Sequence, residues 1–265
     1  MTDLDQGQLT ATAAETYDSF FVPALFEQWT AVVLDAAAAG ESDRILDVGC
    51  GTGVLARAAL GRAGPSGAVA GVDPSEGMLA VARRSISAVD WRVGSAEDLP
   101  FDDDTFDRVV SQFALMFFTD PGAGLRELVR VTRPHGRIAL GVWASLDHSP
   151  GYAALTALVE RLFGSVAADA LRAPFSLGDP AVLATLLADA MPDATITPHH
   201  GVARFDSLTS WLNTELRGWT LSELIDDDGF HGLLRHGQDE LGEFVDGDGV
   251  AFPVVALVAS GEVAA

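Results

Sequence analysis

The sequence predicts an α/β protein on a doubly wound, mostly parallel sheet with helices on both faces. Two observations carry that expectation. Short apolar runs of strand length alternate with segments whose apolar residues recur at helical spacing, and the first such run, Arg44–Val48, leads directly into glycine at 49, 51 and 53. Strands separated by helices cannot pair as hairpins, so they lie parallel and need cover on both faces.

Residues 17–39 hold apolar side chains at helical spacing, with Pro23 suited to a first turn. Strand 44–48 is followed by a helix at 53–61, a strand at 68–72, and a helix at 75–88 that Ser75 opens with Glu76 in its first turn. A third strand at 91–93, a fourth at 106–111, a helix at 121–132 and a fifth strand at 137–143 continue the alternation. The rhythm then changes to helices near 151–163 and 179–190, a strand around 194–199 and a mostly helical stretch at 208–243. The closing β-rich run at 250–259 carries Pro253, which suits an edge or a bulge.

Composition excludes several functions. At 265 residues the chain can bury a full core, yet its apolar stretches fall short of the roughly 20 residues that cross a bilayer. The N-terminus carries acids and no basic cluster, so no targeting signal is expected and a cytoplasmic protein is. All 16 basic residues are arginine; without lysine there is no P-loop lysine, no Schiff base and no Tyr–Lys dehydrogenase pair. A formal charge of −22 repels nucleic acid and anionic lipid. Cys50, the single cysteine, forms no intramolecular disulfide and reads as a space filler within the glycine loop. His199 and His200 are adjacent on a strand and face opposite ways, and His231 and His236 are five apart, so no metal site is expected.

Glycine gives up more backbone freedom on folding than any other residue, so three of them at alternating positions need a reason. In doubly wound sheets ligands bind beyond the carboxyl ends of the strands, where strand order reverses. There Gly49, Gly51 and Gly53 let the backbone turn sharply and let a ligand lie against it. A dinucleotide fingerprint would place its third glycine at 54, which is Val54. The stretch reads D-x-G-x-G-x-G instead, with Asp47 placed to accept hydrogen bonds from a cationic amine and Asp73, ending the second strand, placed for ribose hydroxyls. An amine, a ribose and an adenine together describe S-adenosylmethionine. Three classes compete: a methyltransferase, which leads, an NAD(P)-dependent oxidoreductase on the same sheet, and a non-catalytic cofactor-binding module.

The stretches RILDVGCGTGVLAR, VAGVDPSEGMLAVARR, VGSAEDLPFDDDTFDRVVSQFALMFFTD and LRELVRVTRPHGRIALGVW cover about residues 44–143. In order and spacing they resemble the class I S-adenosylmethionine-dependent methyltransferases, and within them the small-molecule, type 11 branch similar to quinone-biosynthesis enzymes. The resemblance implies a Rossmann-like, seven-stranded sheet in a single domain over 1–265, with a cofactor core at 40–145 and helical cap segments at 146–193 and 206–249. It implies that Asp47, Gly49, Gly51, Thr52 and Gly53 hold the methionyl part, that Asp73 and Pro74 meet the ribose, and that Met78 packs on the adenine face. Ala96 and Glu97 would meet the adenine edge, Gln112 and Phe113 would border the sulfonium and the acceptor, and Tyr17 would close over the cofactor. Two departures stand out, Ser95 where relatives often carry aspartate and Pro134-His135-Gly136 where they carry Pro-Gly-Gly. His148, just past the fifth strand, is the candidate for a substrate-side base. A small, fairly apolar acceptor is expected between residues 17–29 and the cap, including Trp211 and Trp219. From the aromatic set Tyr17, Phe20, Phe21, Phe113, Phe117 and Phe118, two rings are expected to line the site.

Overall fold

In the computed structural model, residues 11–217, 221 and 224–264 are described. The core strands are β1 (Arg44–Val48), β2 (Ala68–Asp73), β3 (Asp90–Val93), β4 (Phe106–Gln112) and β5 (Thr132–Trp143), followed by β6 (Thr195–Phe205), β7 (Val245–Asp246) and β8 (Gly249–Glu262). They form one sheet in the order β3-β2-β1-β4-β5-β8-β6, with β7 folded back on β8 as a two-residue hairpin strand. Among the described residues the path holds the seven strands expected, and β7 adds a short eighth beside β8. The first five are parallel, and β8 runs antiparallel to both β5 and β6.

Successive residues of a strand face opposite sides, and both sides are covered. Ile45, Val110 and Ala139 pack against α2 (Thr30–Ala36) and α3 (Val54–Ala63). Their neighbours Leu46, Val109 and Ile138 pack against α5 (Pro121–Val131) and α8 (Pro180–Leu187). Sequence-local signals begin the helices where expected. Ser75 Oγ accepts from Met78 N at 3.3 Å to start α4 (Glu76–Ser85), and Asp120 Oδ1 accepts from Ala123 N at 2.9 Å, with Pro121 in the first turn of α5.

Residues 17–39 do not form the single helix expected. After α1 (Ala11–Thr16) the chain widens into π-helical turns over Tyr17–Phe26, tightens into a 3-10 turn at Glu27–Trp29 and only then enters α2. Pro23 lies inside the wide segment rather than in a first turn. Lacking an N–H, it cannot serve an α-helical ladder, and the π register is written out by Glu27 N donating to Val22 O, five residues back. From the same turn Gln28 reaches the outer strand β6: its Oε1 accepts from Val202 N and its Nε2 donates to Val202 O, both at 3.0 Å.

Pro253 meets its expectation in an internal strand. β8 pairs with β5 only as far as Ala256 opposite Trp143, so at Pro253, opposite Val202, β8 has run past its neighbour and a missing N–H breaks no ladder.

Beyond β5 the chain builds α6 (Pro150–Phe163), α7 (Ser165–Arg172), α8, α9 (Leu208–Arg217) and α10 (Asp227–Glu240); α7 was not foreseen. With the N-terminal turns, α6, α9 and α10 enclose an aromatic cluster that includes Phe26, Trp29, Trp143, Tyr152, Trp211 and Phe252. Inside it the Tyr152 hydroxyl donates to Glu215 Oε1 at 2.7 Å. Burial pushes the Glu215 carboxyl up to about 8, against the lowering effect of its hydrogen bonds. The unfolded chain releases this proton in the ordinary carboxylate range and the folded one keeps it until about pH 8, so stability falls as pH rises between those limits and is flat beyond. Glu215→Gln, which cannot ionise, is expected to match the parent near pH 5 and to exceed it at pH 8 by at least about 1 kcal/mol, roughly 2–4 °C in Tm. Parallel melting curves for the two proteins at both ends of the window would disprove this.

Candidate functional site

Strand order reverses between β1 and β4, the two parallel neighbours at the centre of the sheet. Asp47 near the end of β1 and Gln112 at the end of β4 bring polar side chains to that reversal. The loop between β1 and α3 is tethered to β2, because Gly49 N and Cys50 N both donate to Val72 O, at 2.8 and 3.0 Å. Asp73 completes the tether: its Oδ2 accepts from Gly51 N and its Oδ1 from Ser75 N, each at 2.8 Å.

The three glycines differ in why they are glycine. All have positive φ, but a Cβ on Gly49 would stand 2.4 Å from Ala114 Cβ and one on Gly53 would stand 2.5 Å from the Trp91 ring. Those two positions are filled by protein, which corrects the expectation that all three clear space for a ligand. Gly51 alone, at φ +53°, has nothing within 4 Å of the position its Cβ would take. The bare face of the loop is therefore one residue wide.

A cleft of about 320 Å³, its open mouth included, lies against that face. Of the residues singled out in sequence, Tyr17, Asp47, Gly49, Gly51, Thr52 and Gln112 line it, joined by Phe26 and Cys50. Three buried polar atoms there lack a protein partner: Asp47 Oδ2, Thr52 Oγ1 and Gln112 Oε1. Buried polar groups in folded proteins are nearly always paired, so three orphans on one cleft fit a polar ligand. Gln112 cannot turn away to satisfy itself, since its Nε2 donates to Phe26 O at 3.1 Å.

Burial first, and then Asp73, push the Asp47 carboxyl up to about 8. Burial also raises Asp73, opposed by the two amides it holds. The Tyr17 hydroxyl is driven up by burial and by Asp73, and the Cys50 thiol by burial and both aspartates. A buried, neutral thiol with the Gly71 backbone at its back suits a space filler rather than a nucleophile.

The remaining candidates are not among the residues that line the cleft. Met78 is buried with Ala14 and Val81, with Tyr17 packed on them. Ala96 belongs to the core beneath α5, and Glu97 accepts from Asp120 N at 3.2 Å. Pro74 is exposed. Phe113 takes the left-handed conformation at φ +56°, its N donating to Gly141 O at 2.7 Å, and its ring stacks on Trp143 with centroids 3.8 Å apart. A bulky residue in that region carries local strain, which concentrates at functional sites. His148 is not brought to the cleft: it sits in an exposed turn with Nδ1 3.1 Å from Ser145 Oγ and 3.3 Å from Asp147 Oδ1. Phe20 and Phe117 face solvent, and Phe118 packs over Gly124. Of that set Tyr17 lines the cleft, and the second ring there is Phe26, which packs against Trp143 with centroids 6.1 Å apart. Trp91 went unforeseen because only the pairing of β3 with β2 carries it to the loop. Trp211 is fully buried in the aromatic cluster; Trp219 lies outside the described residues.

Residues 46–140 match the family described as a methyltransferase domain. In this region the chain is similar to the demethylmenaquinone methyltransferase of Clavibacter sepedonicus, 43% identical over 115 residues, which is 42% of this chain and 46% of that protein. The chain spans about half the length of the curated relatives it matches. The YcgJ protein of Bacillus subtilis has the same fold with a TM-score of 0.60 at 19% identity, over 90% of this chain and 99% of that one. Phosphoethanolamine N-methyltransferase 2 of Haemonchus contortus, solved with S-adenosyl-L-methionine, gives 0.60 at 19% identity over 98% of this chain and 59% of that one. Identities this low speak to fold alone. The matched stretch runs from Leu46 in β1 to Leu140 in β5 and contains the glycine loop, both aspartates, Gln112 and Phe113. Among the described residues no helix is long and apolar enough to cross a membrane, and no group of three or more His, Cys, Asp or Glu side chains could hold a metal ion.

Proposed function

We propose that the chain transfers a methyl group from S-adenosylmethionine to a small, fairly apolar acceptor in the cytoplasm. The observation that carries this reading is the cleft at the strand-order reversal, where a backbone bare at Gly51 lies beside two buried carboxylates and three orphaned polar atoms. When bound, S-adenosylmethionine supplies an electrophilic methyl on a sulfonium.

The residues of the chain do the holding. Asp47 accepts from the ligand's ammonium, and Gln112, pinned through its Nε2 to Phe26 O, keeps its Oε1 on the cleft. Asp73 keeps lone pairs beyond its two backbone bonds, and these are available to ribose hydroxyls. Phe26, with Phe113 and Trp143 packed behind it, keeps water out and offers ring faces to a cation, worth about 0.5–2 kcal/mol each. In-line displacement then depends chiefly on alignment and dryness. An aromatic wall suits a flat apolar acceptor, and the name of the Clavibacter relative fits one of quinone type.

Incubation with methyl-labelled S-adenosylmethionine and a broad metabolite extract tests the reading. Label is expected in a small, organic-extractable product, and not when Asp73 is replaced by alanine. Binding of S-adenosylhomocysteine with no labelled product from any extract would reduce the protein to a cofactor-binding module. Binding of NADH in its place would point to an oxidoreductase.

A further inference from the structure

We propose that filling the cleft with a ligand bearing an ammonium group expels one proton from the Asp47 carboxyl to solvent, so that ligand affinity is tied to pH through this residue. The inference rests on the methyl-donor reading and adds a regulation of the same site.

Among the described residues the geometry leaves the Asp47 carboxyl buried without a cation. It is 1% exposed, and its Oδ2 has no partner. From β2 it faces the second carboxylate, Asp73; from its own loop, the neutral Cys50 thiol; from the N-terminal turns, the Tyr17 hydroxyl. α3 offers the backbone amide of Ala56, and β4 the amide oxygen of Gln112. Arg83 of α4 is felt at Cys50, but its guanidinium is committed to Glu76. Two carboxylates in one dry site cannot both ionise without large cost, so one keeps its proton until a positive charge arrives. Asp73, which holds two backbone amides, is the better anion; Asp47, with an orphaned oxygen, is the carboxyl that keeps the proton. The elevation of Asp47 to about 8 agrees with that division. On binding, the neutral acid and the cationic ligand become an ion pair plus one free proton, and the charge balances.

Calorimetry with S-adenosylhomocysteine at pH 6.5 decides it. In phosphate and in bis-tris, which differ in ionisation enthalpy, the heats are expected to differ by the amount for about one proton released. Affinity is expected to rise about tenfold per pH unit between pH 5.5 and 7 and to level off near 8. 5′-Methylthioadenosine, which lacks the amino-acid part, is expected to bind with no proton exchanged. Asp47→Asn is expected to bind S-adenosylhomocysteine with a flat pH profile. Tight binding with less than half a proton released by the parent protein overturns the inference and leaves the methyl-donor reading standing. Equal release by Asp47→Asn overturns it as well, by placing the proton elsewhere. Absence of binding by either ligand at every pH removes both. If Asp47→Asn fails to fold, the two-buffer heat difference of the parent protein settles the question alone.

Discussion

Asp73→Ala is expected to weaken S-adenosylhomocysteine binding at least about tenfold and to lower stability at the same time. The carboxylate acts in two directions. Through Oδ2 and Oδ1 it holds Gly51 N and Ser75 N, anchoring the one bare position of the loop and the approach to α4. On the methyl-donor reading its remaining lone pairs take the ligand's ribose hydroxyls. Hydrogen bonds to a charged group contribute about 1.5–3 kcal/mol, and losing one made to ligand corresponds to roughly ten- to a hundredfold in affinity. Two backbone amides stripped of their acceptor cost stability besides. Titration well below the melting temperature separates the two effects. A dissociation constant equal to that of the parent would show that Asp73 supports the loop and touches no ligand.

The second large effect comes from a pair of alanines. Gly51→Ala is expected to fold with a loss of about 1 kcal/mol, because φ +53° is only mildly costly for an L residue and no atom stands in the way. Its methyl group would project into the cleft, however, and binding should fall by tenfold or more. Gly49→Ala adds to a similar conformational cost a Cβ 2.4 Å from Ala114 Cβ, and overpacking of that kind costs roughly 1–3 kcal/mol. Its signature is a melting temperature lower by several degrees, with any loss of affinity secondary to that. If Gly51→Ala bound like the parent, the bare face of the loop would not be the ligand's side.

The contrast between these glycines marks how far sequence reasoning reaches. Their spacing after β1 announced a sharp turn at a ligand-binding reversal, and that much is local chemistry. What fills the space at Gly49 and Gly53 is not local, since Ala114 arrives from the end of β4 and Trp91 from β3. Helix starts at Ser75 and Asp120 were readable because a cap is a contact over three residues. The π-helical turns over Tyr17–Phe26 were not, because the apolar spacing of that stretch also satisfies an α-helix and the wider ladder shows only in backbone bonds. Aromatic residues were abundant enough to expect a wall, but the choice of Phe26 and Trp143 over Phe20 and Phe117 depends on how the N-terminal turns seat against β5.

The Gln28 grip on Val202 has a consequence for how the molecule behaves in a crowd. β6 is the outermost strand on its side, and its outward N–H and C=O groups could template a neighbouring chain into a growing ribbon. One side-chain amide imitates that neighbour at a single residue and takes both bonding groups there. Together with the mutual repulsion of molecules carrying −22 charges, this interruption works against the open margin templating a second chain.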